Sequence, residues 1–151
     1  MATTFAFKLV TPTGVLFDGE VEQVTAVNPL GEFGVLAEHV NYITSLIPGL
    51  MTIRTADGQT VDYMVTGGLV EVKDGAMTAL AQSAEPPDQV TPTDDDTLRE
   101  AEERLASMSV FDANYEDEKQ AVMVLRARRD VAEGRRVPAH RDRSDSRAAP
   151  S

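Results

Sequence analysis

The chain has 151 residues, a formal net charge of −11 and no cysteine. That length fits one domain, or one domain with an appendage. The missing thiols exclude disulfides, thiolate zinc sites and a cysteine nucleophile, and the negative charge argues against nucleic acid or an anionic membrane surface as the main partner. Apolar residues make up 42% and aromatics only 5%, so an aliphatic core is expected. No apolar run reaches the roughly 18 residues of a membrane span, so direct membrane insertion is not expected. The opening "MATTFAFKLV" lacks the pattern of a secretion signal, and the chain reads as soluble and intracellular.

Up to about Ala84, apolar residues alternate in short runs punctuated by Gly, Asp, Asn and Pro. "FAFKLV", "VEQVTAV", "MTIRT", "TVDYMVT" and "LVEVKDGAMTAL" each carry the period of two that marks a half-buried strand. Asp-Gly turns are expected at Lys73–Gly75 and at Ala56–Gln59, because Asp-Gly tolerates positive φ. About nine short strands between Phe5 and Gln82 predict a β-sandwich or barrel. The glycines of "TGGL", Thr66–Leu69, read as a bulge or corner.

"SAEPPDQVTPTDDD" breaks the pattern. Pro86, Pro87 and Pro92 can neither donate to a ladder nor sit inside a helix, so this stretch reads as a linker and a defined joint. Asp94–Asp96 then favour a helix N-terminus. Leu98, Ala101, Leu105 and Met108 recur at helical spacing. A second helix is expected from near Asp112 or Asn114, either able to cap it, through an apolar stripe of Ala121, Val124, Leu125, Val131 and Ala132. Gly134 and Pro138 stop it. The expected organisation is a sandwich of nine to ten strands over 1–85, a Pro-rich linker over 86–93, an antiparallel helical hairpin over 94–134, and a disordered basic tail over 135–151. These parts are unevenly charged: residues 1–90 carry 3 basic and 11 acidic side chains, 91–134 carry 6 and 12, and 135–151 carry 5 and 2.

Candidate chemistry is sparse. His39 stands beside Glu38, but adjacent strand residues point to opposite faces, and the only other histidine, His140, lies in the tail. No nucleophile elbow, metal-ligand set or phosphate loop is present. No catalytic residue and no metal site are therefore expected. A loop rich in turn residues, with an exposed acid at Glu32, suits docking to a basic surface better than catalysis.

The order "LVTPTGVLFDGEVEQVTA … GEFGVLAEHVNYITSLIPGLMTI … VTGGLVEVKDGAMTALAQSAE", followed by a helical hairpin, resembles the epsilon subunit of the bacterial and chloroplast F-type ATP synthase, whose mitochondrial counterpart is called delta. Pro12, Gly14, Phe17, Gly19, Gly31, Glu32, Phe33, Gly34, His39, Pro48, Gly49, Gly67, Gly68 and Glu71 stand among the matching positions. The resemblance implies a non-catalytic central-stalk subunit of a proton-translocating synthase, peripheral on the cytoplasmic side of the bacterial plasma membrane. It implies docking of Glu32, Phe33 and His39 on the c-ring, another part of the sandwich on the gamma subunit, and a hairpin that inhibits ATP hydrolysis by reaching the alpha and beta subunits. Arg126, Arg128 and Arg129 would then meet an acidic catalytic surface, the alternative being that they only complement the helix dipole.

The chain also departs from the family. Its "P-G-H-A-P" reads Ala37-Glu38-His39-Val40-Asn41 here. Some members bind regulatory ATP through a first-helix motif, (Ile or Leu)-Asp-x-x-Arg-Ala. The nearest match is "DDTLRE", where Asp96 and Arg99 fit but Asp95 replaces the aliphatic and Glu100 the alanine. No cofactor is expected, and Asp96 and Arg99 are the candidates for an ATP contact against the reading of a plain amphipathic helix. The competing function is a free-standing β-sandwich ligand-binding module with a helical dimerisation hairpin.

Overall fold

Alternation builds β1, Phe5–Thr11, whose Phe5, Phe7 and Leu9 are buried while Ala6 and Lys8 are exposed. The computed structural model describes residues 3–134, so the basic tail with His140 lies outside the described residues. Eight further strands follow: β2 Gly14–Asn28, β3 Gly31–Leu36, β4 Tyr42–Leu46, β5 Gly49–Thr55, β6 Thr60–Val65, β7 Gly68–Lys73, β8 Ala76–Ala81 and β9 Ala84–Glu85. The fifteen-residue β2 joins two layers. Its first half pairs with β1, and past an irregularity at Val21/Gln23 its second half pairs with β5 and β3. One layer runs β4-β7-β8-β1-β2, with β1 and β8 parallel; the other runs β2-β5-β6-β9 with β3 on the other side of β2. Sixteen buried apolar residues, among them Phe7, Leu9, Met51, Ile53, Val70 and Met77, fill the space between them.

The turns obey local chemistry. Asp74 and Gly75 both have positive φ, 51° and 79°, and close the β7–β8 hairpin. The turn at Ala56–Gly58 differs from the expected one: among its residues only Gly58, at φ 85°, is left-handed. Thr55 O accepts from Gly58 N–H and Thr55 N–H donates to Gln59 O, which is a three-residue loop closed by a glycine bulge. The Thr55 hydroxyl also donates to the Asp57 carboxylate.

The Pro-rich segment is not loose. Pro87–Gln89 forms a 3-10 turn, and Val90 behind it is 7% exposed. Helix α1 spans Asp95–Ala106, capped by Asp94, whose carboxylate accepts the Thr97 N–H at 2.8 Å. That bond, and the one from the Thr97 hydroxyl, hold the Asp94 carboxyl below its ordinary pKa. Helix α2 spans Tyr115–Ala132. Asn114 occupies its N-cap position without a side-chain bond, and Asp112 instead accepts from Ser109 N–H in the preceding turn. Gly134, at φ 82°, follows the helix end.

The expected stripe on α2 needs correction. Ala121 and Ala132 are exposed, while Val122 and Ala127 are buried with Val131. The physical reason is that α2 has two neighbours, α1 on one side and the β5–β6 face on the other, so its buried positions do not fall on one narrow line. Ala127, Val131 and Val90 pack on Met64, with Leu50 beside them. No helix among the described residues is long and apolar enough to cross a membrane.

Candidate functional site

Three surfaces carry the candidate residues. The first is the end of the sandwich where β2 turns into β3 and β3 into β4. Glu32 is exposed on β3, opposite Val27 of β2. Phe33 is half-buried and meets the Tyr42 ring edge-on, with centroids 6.1 Å apart. His39 also packs against that tyrosine, 5.6 Å between ring centroids, and its Nδ1 is 2.8 Å from the Val40 carbonyl. Phe33 and His39 are thus brought together around Tyr42.

His39 is not on a strand, as the sequence suggested. It follows a turn in which Glu38 has φ 65°, a left-handed conformation. Glu38 occupies the position where the family pattern carries glycine, and the backbone there is one that glycine adopts freely. The left-handed strain on a side-chain residue is about 1–2 kcal/mol. Glycine returns about 0.5–1 kcal/mol of that through its freer unfolded state. Glu38→Gly should therefore raise stability by roughly 0.5–1 kcal/mol, measured as a shift in urea midpoint at unchanged slope. A loss of stability would mean that the turn is not held this way.

The residue that organises this end was missed in the sequence. Asn28 is 5% exposed and fully bonded. Its Oδ1 accepts from Leu30 N–H at 2.9 Å and Gly31 N–H at 3.1 Å, and its Nδ2 donates to Tyr42 Oη and Thr44 Oγ1, both at 3.2 Å. One side chain thereby closes the β2–β3 turn and ties it to β4. Asn before Pro29 was the available signal, because Asn initiates turns by accepting backbone N–H groups two and three residues on.

The second surface is the outer face of the layer that contains β4, β7, β8 and β1. Register aligns Ser45 with Leu69, Leu69 with Leu80, Leu80 with Val10, and Val10 with Val15. Leu69, Leu80 and Val15 are 45%, 50% and 56% exposed, and Ile43 on β4 is 65% exposed. The next row across the same strands carries Glu71, Thr78, Lys8 and Asp18, with Ile43 at its β4 end. This is an apolar band with a charged margin, and no described element covers it. The opposite outer face is different, because α2 covers Met64 there.

The third surface is the hairpin. Arg126, Arg128 and Arg129 do not form one basic face here. Arg126 pairs with Glu102 of α1 at 2.6 Å, Arg128 with Glu85 of β9 at 2.8 Å, and Arg129 with its neighbour Asp130 at 3.2 Å. Gln120 Nε2 donates to the Thr66 carbonyl at 2.9 Å, a second polar tie between α2 and the sandwich. Asp96 and Arg99 pair with each other at 2.8 Å on the exposed side of α1. That bond is an ordinary i,i+3 helix pair.

Residues 4–87 match the family described as ATP synthase, delta/epsilon chain, beta-sandwich domain. The chain is 39% identical over 99 residues to the ATP synthase epsilon chain of Agrobacterium fabrum, spanning 66% of this chain and 71% of that one. It is 43% identical over 81 residues to the epsilon chain of a Bradyrhizobium strain, covering 54% of this chain but only 59% of that relative's length. Against the epsilon chain of Clostridium botulinum it is 29% identical over 127 residues, 84% of this chain and 92% of the other. The fold resembles a chain of the Euglena gracilis mitochondrial ATP synthase, solved in an assembly with the c-ring, at TM-score 0.64 and 23% identity over 84% of this chain and 80% of that one. A chain of the Tetrahymena thermophila mitochondrial ATP synthase central stalk and c-ring also has TM-score 0.64, at 18% identity over 87% of this chain and 98% of that one.

Proposed function

The chain belongs to the ATP synthase delta/epsilon family, and from that premise we propose that it is a non-catalytic central-stalk subunit of a proton-translocating ATP synthase. The observation that carries this reading is the contrast between the two outer faces of the sandwich. One is covered by the chain's own helix, whereas the other presents Leu69, Leu80 and Val15 in register with a charged margin. Apolar patches of that kind mark protein–protein contact, and this face is assigned to the gamma subunit. The turn end with Glu32, Phe33 and His39 is assigned to the c-ring, where the exposed acid complements basic loops. In this reading the subunit is peripheral, on the cytoplasmic side of the bacterial plasma membrane.

The hairpin is assigned a regulatory role toward the alpha and beta subunits. Its hold on the sandwich is small. Met64, Val90 and Val131 contribute about 2 kcal/mol each on burial, against sixteen residues in the main core. While α2 is docked, Arg128 is held by Glu85 of the sandwich; release of the hairpin frees it to meet an acidic partner surface beside Arg126 and Arg129, which keep their partners within the hairpin. No nucleotide is assigned, since Asp96 and Arg99 satisfy each other.

The test uses membranes stripped of this chain. The full chain should restore ATP-driven proton pumping, and so should a chain stopped after Pro87. ATP hydrolysis with the shortened chain should be about fivefold faster, the lower range for coupling between an effector element and a distant site. Replacing Arg126, Arg128 and Arg129 by Ala should give part of that gain. Pumping that needs no added chain would refute the coupling role. Equal hydrolysis rates at equal subunit content would refute the inhibitory one.

A further inference from the structure

Four of the five phenylalanines pack in or against the sandwich core; Phe111, at the tip of the helical hairpin, does not. It is 92% exposed, and Val110 beside it is 65% exposed. The turn that presents them is tied by its own bonds. Asp112 accepts the Ser109 N–H at 2.9 Å, the Ser109 hydroxyl accepts the Phe111 N–H at 3.1 Å, and the Ser109 carbonyl accepts the Asp112 N–H at 3.0 Å. The largest apolar side chain of the hairpin is therefore held out in water on an ordered loop.

The surroundings of this tip are acidic. The last turn of α1, the tip and the first turn of α2, residues 102–119, hold six carboxylates against Arg104 and Lys119. Arg104 is already engaged, by Glu118 across the hairpin. Glu103 on the last turn of α1, and Glu116 and Asp117 on the first turn of α2, are exposed and make no ion pair among the described residues. Nucleic acid and anionic lipid are repelled by this ring of charge, and so is a second copy of a chain that carries −11.

We propose that Val110 and Phe111 form a knob that docks into an apolar recess rimmed by lysine or arginine on another protein subunit of the complex. This rests on the reading of the chain as a subunit of a larger assembly, but it concerns a surface that the gamma and c-ring assignments leave unused. An aromatic anchor inside a charged rim is the usual anatomy of an energetic centre in an interface, and the rim charges set rate and salt dependence.

The experiment places a photoreactive phenylalanine at position 111 of the full chain, rebinds it to enzyme depleted of this subunit, irradiates, and sequences the cross-linked peptides. In parallel, the affinity of the Phe111→Ser chain and of a Glu103→Gln, Glu116→Gln, Asp117→Asn chain is measured at several salt concentrations, with circular dichroism confirming the fold. The expected result is one cross-linked peptide from another subunit, containing Lys or Arg. Phe111→Ser should bind about tenfold more weakly, and the neutralised chain should lose most of its salt dependence. Unchanged affinity for Phe111→Ser overturns the proposal whatever is cross-linked. So does cross-linking only to lipid, to a second copy, or to the chain's own residues 135–151. Failure of the unmodified chain to rebind would overturn the functional reading itself, and this inference with it.

Discussion

Gly68→Ala should destabilise the chain by more than about 4 kcal/mol, the range reached only by severe backbone or core damage. Gly68 opens β7 and is flanked on both sides, by Leu46 of β4 and by Ala81 of β8. A Cβ added there would lie 2.0 Å from the Leu80 carbonyl oxygen and 2.9 Å from the Ala81 Cα. Both are backbone atoms, so no side chain can rotate away. The φ of 151° adds strain for any side chain. Relief requires opening the β7–β8 ladder, which carries Val70, Val72, Met77, Ala79 and Ala81 into the core. Gly75→Ala is the control. It too has positive φ, but its Cβ would meet nothing within 4 Å, so only the conformational cost of about 1 kcal/mol is expected. Urea unfolding followed by far-ultraviolet dichroism measures both. A Gly68→Ala chain as stable as the control would mean that β7 and β8 are not paired in this register.

Replacing Leu69 and Leu80 together by Asp should weaken binding to the gamma subunit by at least about a hundredfold while leaving the sandwich folded. The two side chains are neighbours in register and face outward, so the substitution removes no core packing. In an interface it puts two carboxylates where apolar surface is to be buried, and each unpaired charge costs several kcal/mol. Two such charges exceed the roughly 2.7 kcal/mol that corresponds to a hundredfold change. Calorimetry with purified gamma measures the affinity, and thermal unfolding checks the fold. Tight binding by the doubly substituted chain would move the contact to another surface.

The main outline of the fold was legible in the sequence because period-two alternation is a direct record of which side of a strand is buried. Phe5, Phe7 and Leu9 illustrate it, and Asp74-Gly75 gave the hairpin after β7. The long β2 was not legible, since nothing in "GVLFDGEVEQVTAVN" says that one strand serves two layers. Nor was the α2 face, because a helix squeezed between a second helix and a sheet has no single apolar stripe. The outward band was obscured by composition. Leu69 and Val70 are both aliphatic, and only register tells which is buried. At Leu80 size misleads: small Ala79 and Ala81 face the core, and the larger leucine faces out. Of the candidate docking residues, Glu32, Phe33 and His39 were singled out by turn chemistry and family pattern. Asn28, which ties the β2–β3 turn to β4, lies just before the matching positions Gly31–Gly34.

The proposed docking of the bare sheet face on gamma is most directly measured with a single thiol, since the chain contains no cysteine. A Leu80→Cys chain, assembled into the membrane-bound enzyme, would be treated with a short thiol-directed photocross-linker and also labelled with maleimide before and after assembly. The expected result is cross-linking to the coiled-coil gamma subunit and strong protection of the thiol in the assembled enzyme. A thiol labelled equally fast in the free and assembled chain, with no link to gamma, would contradict it.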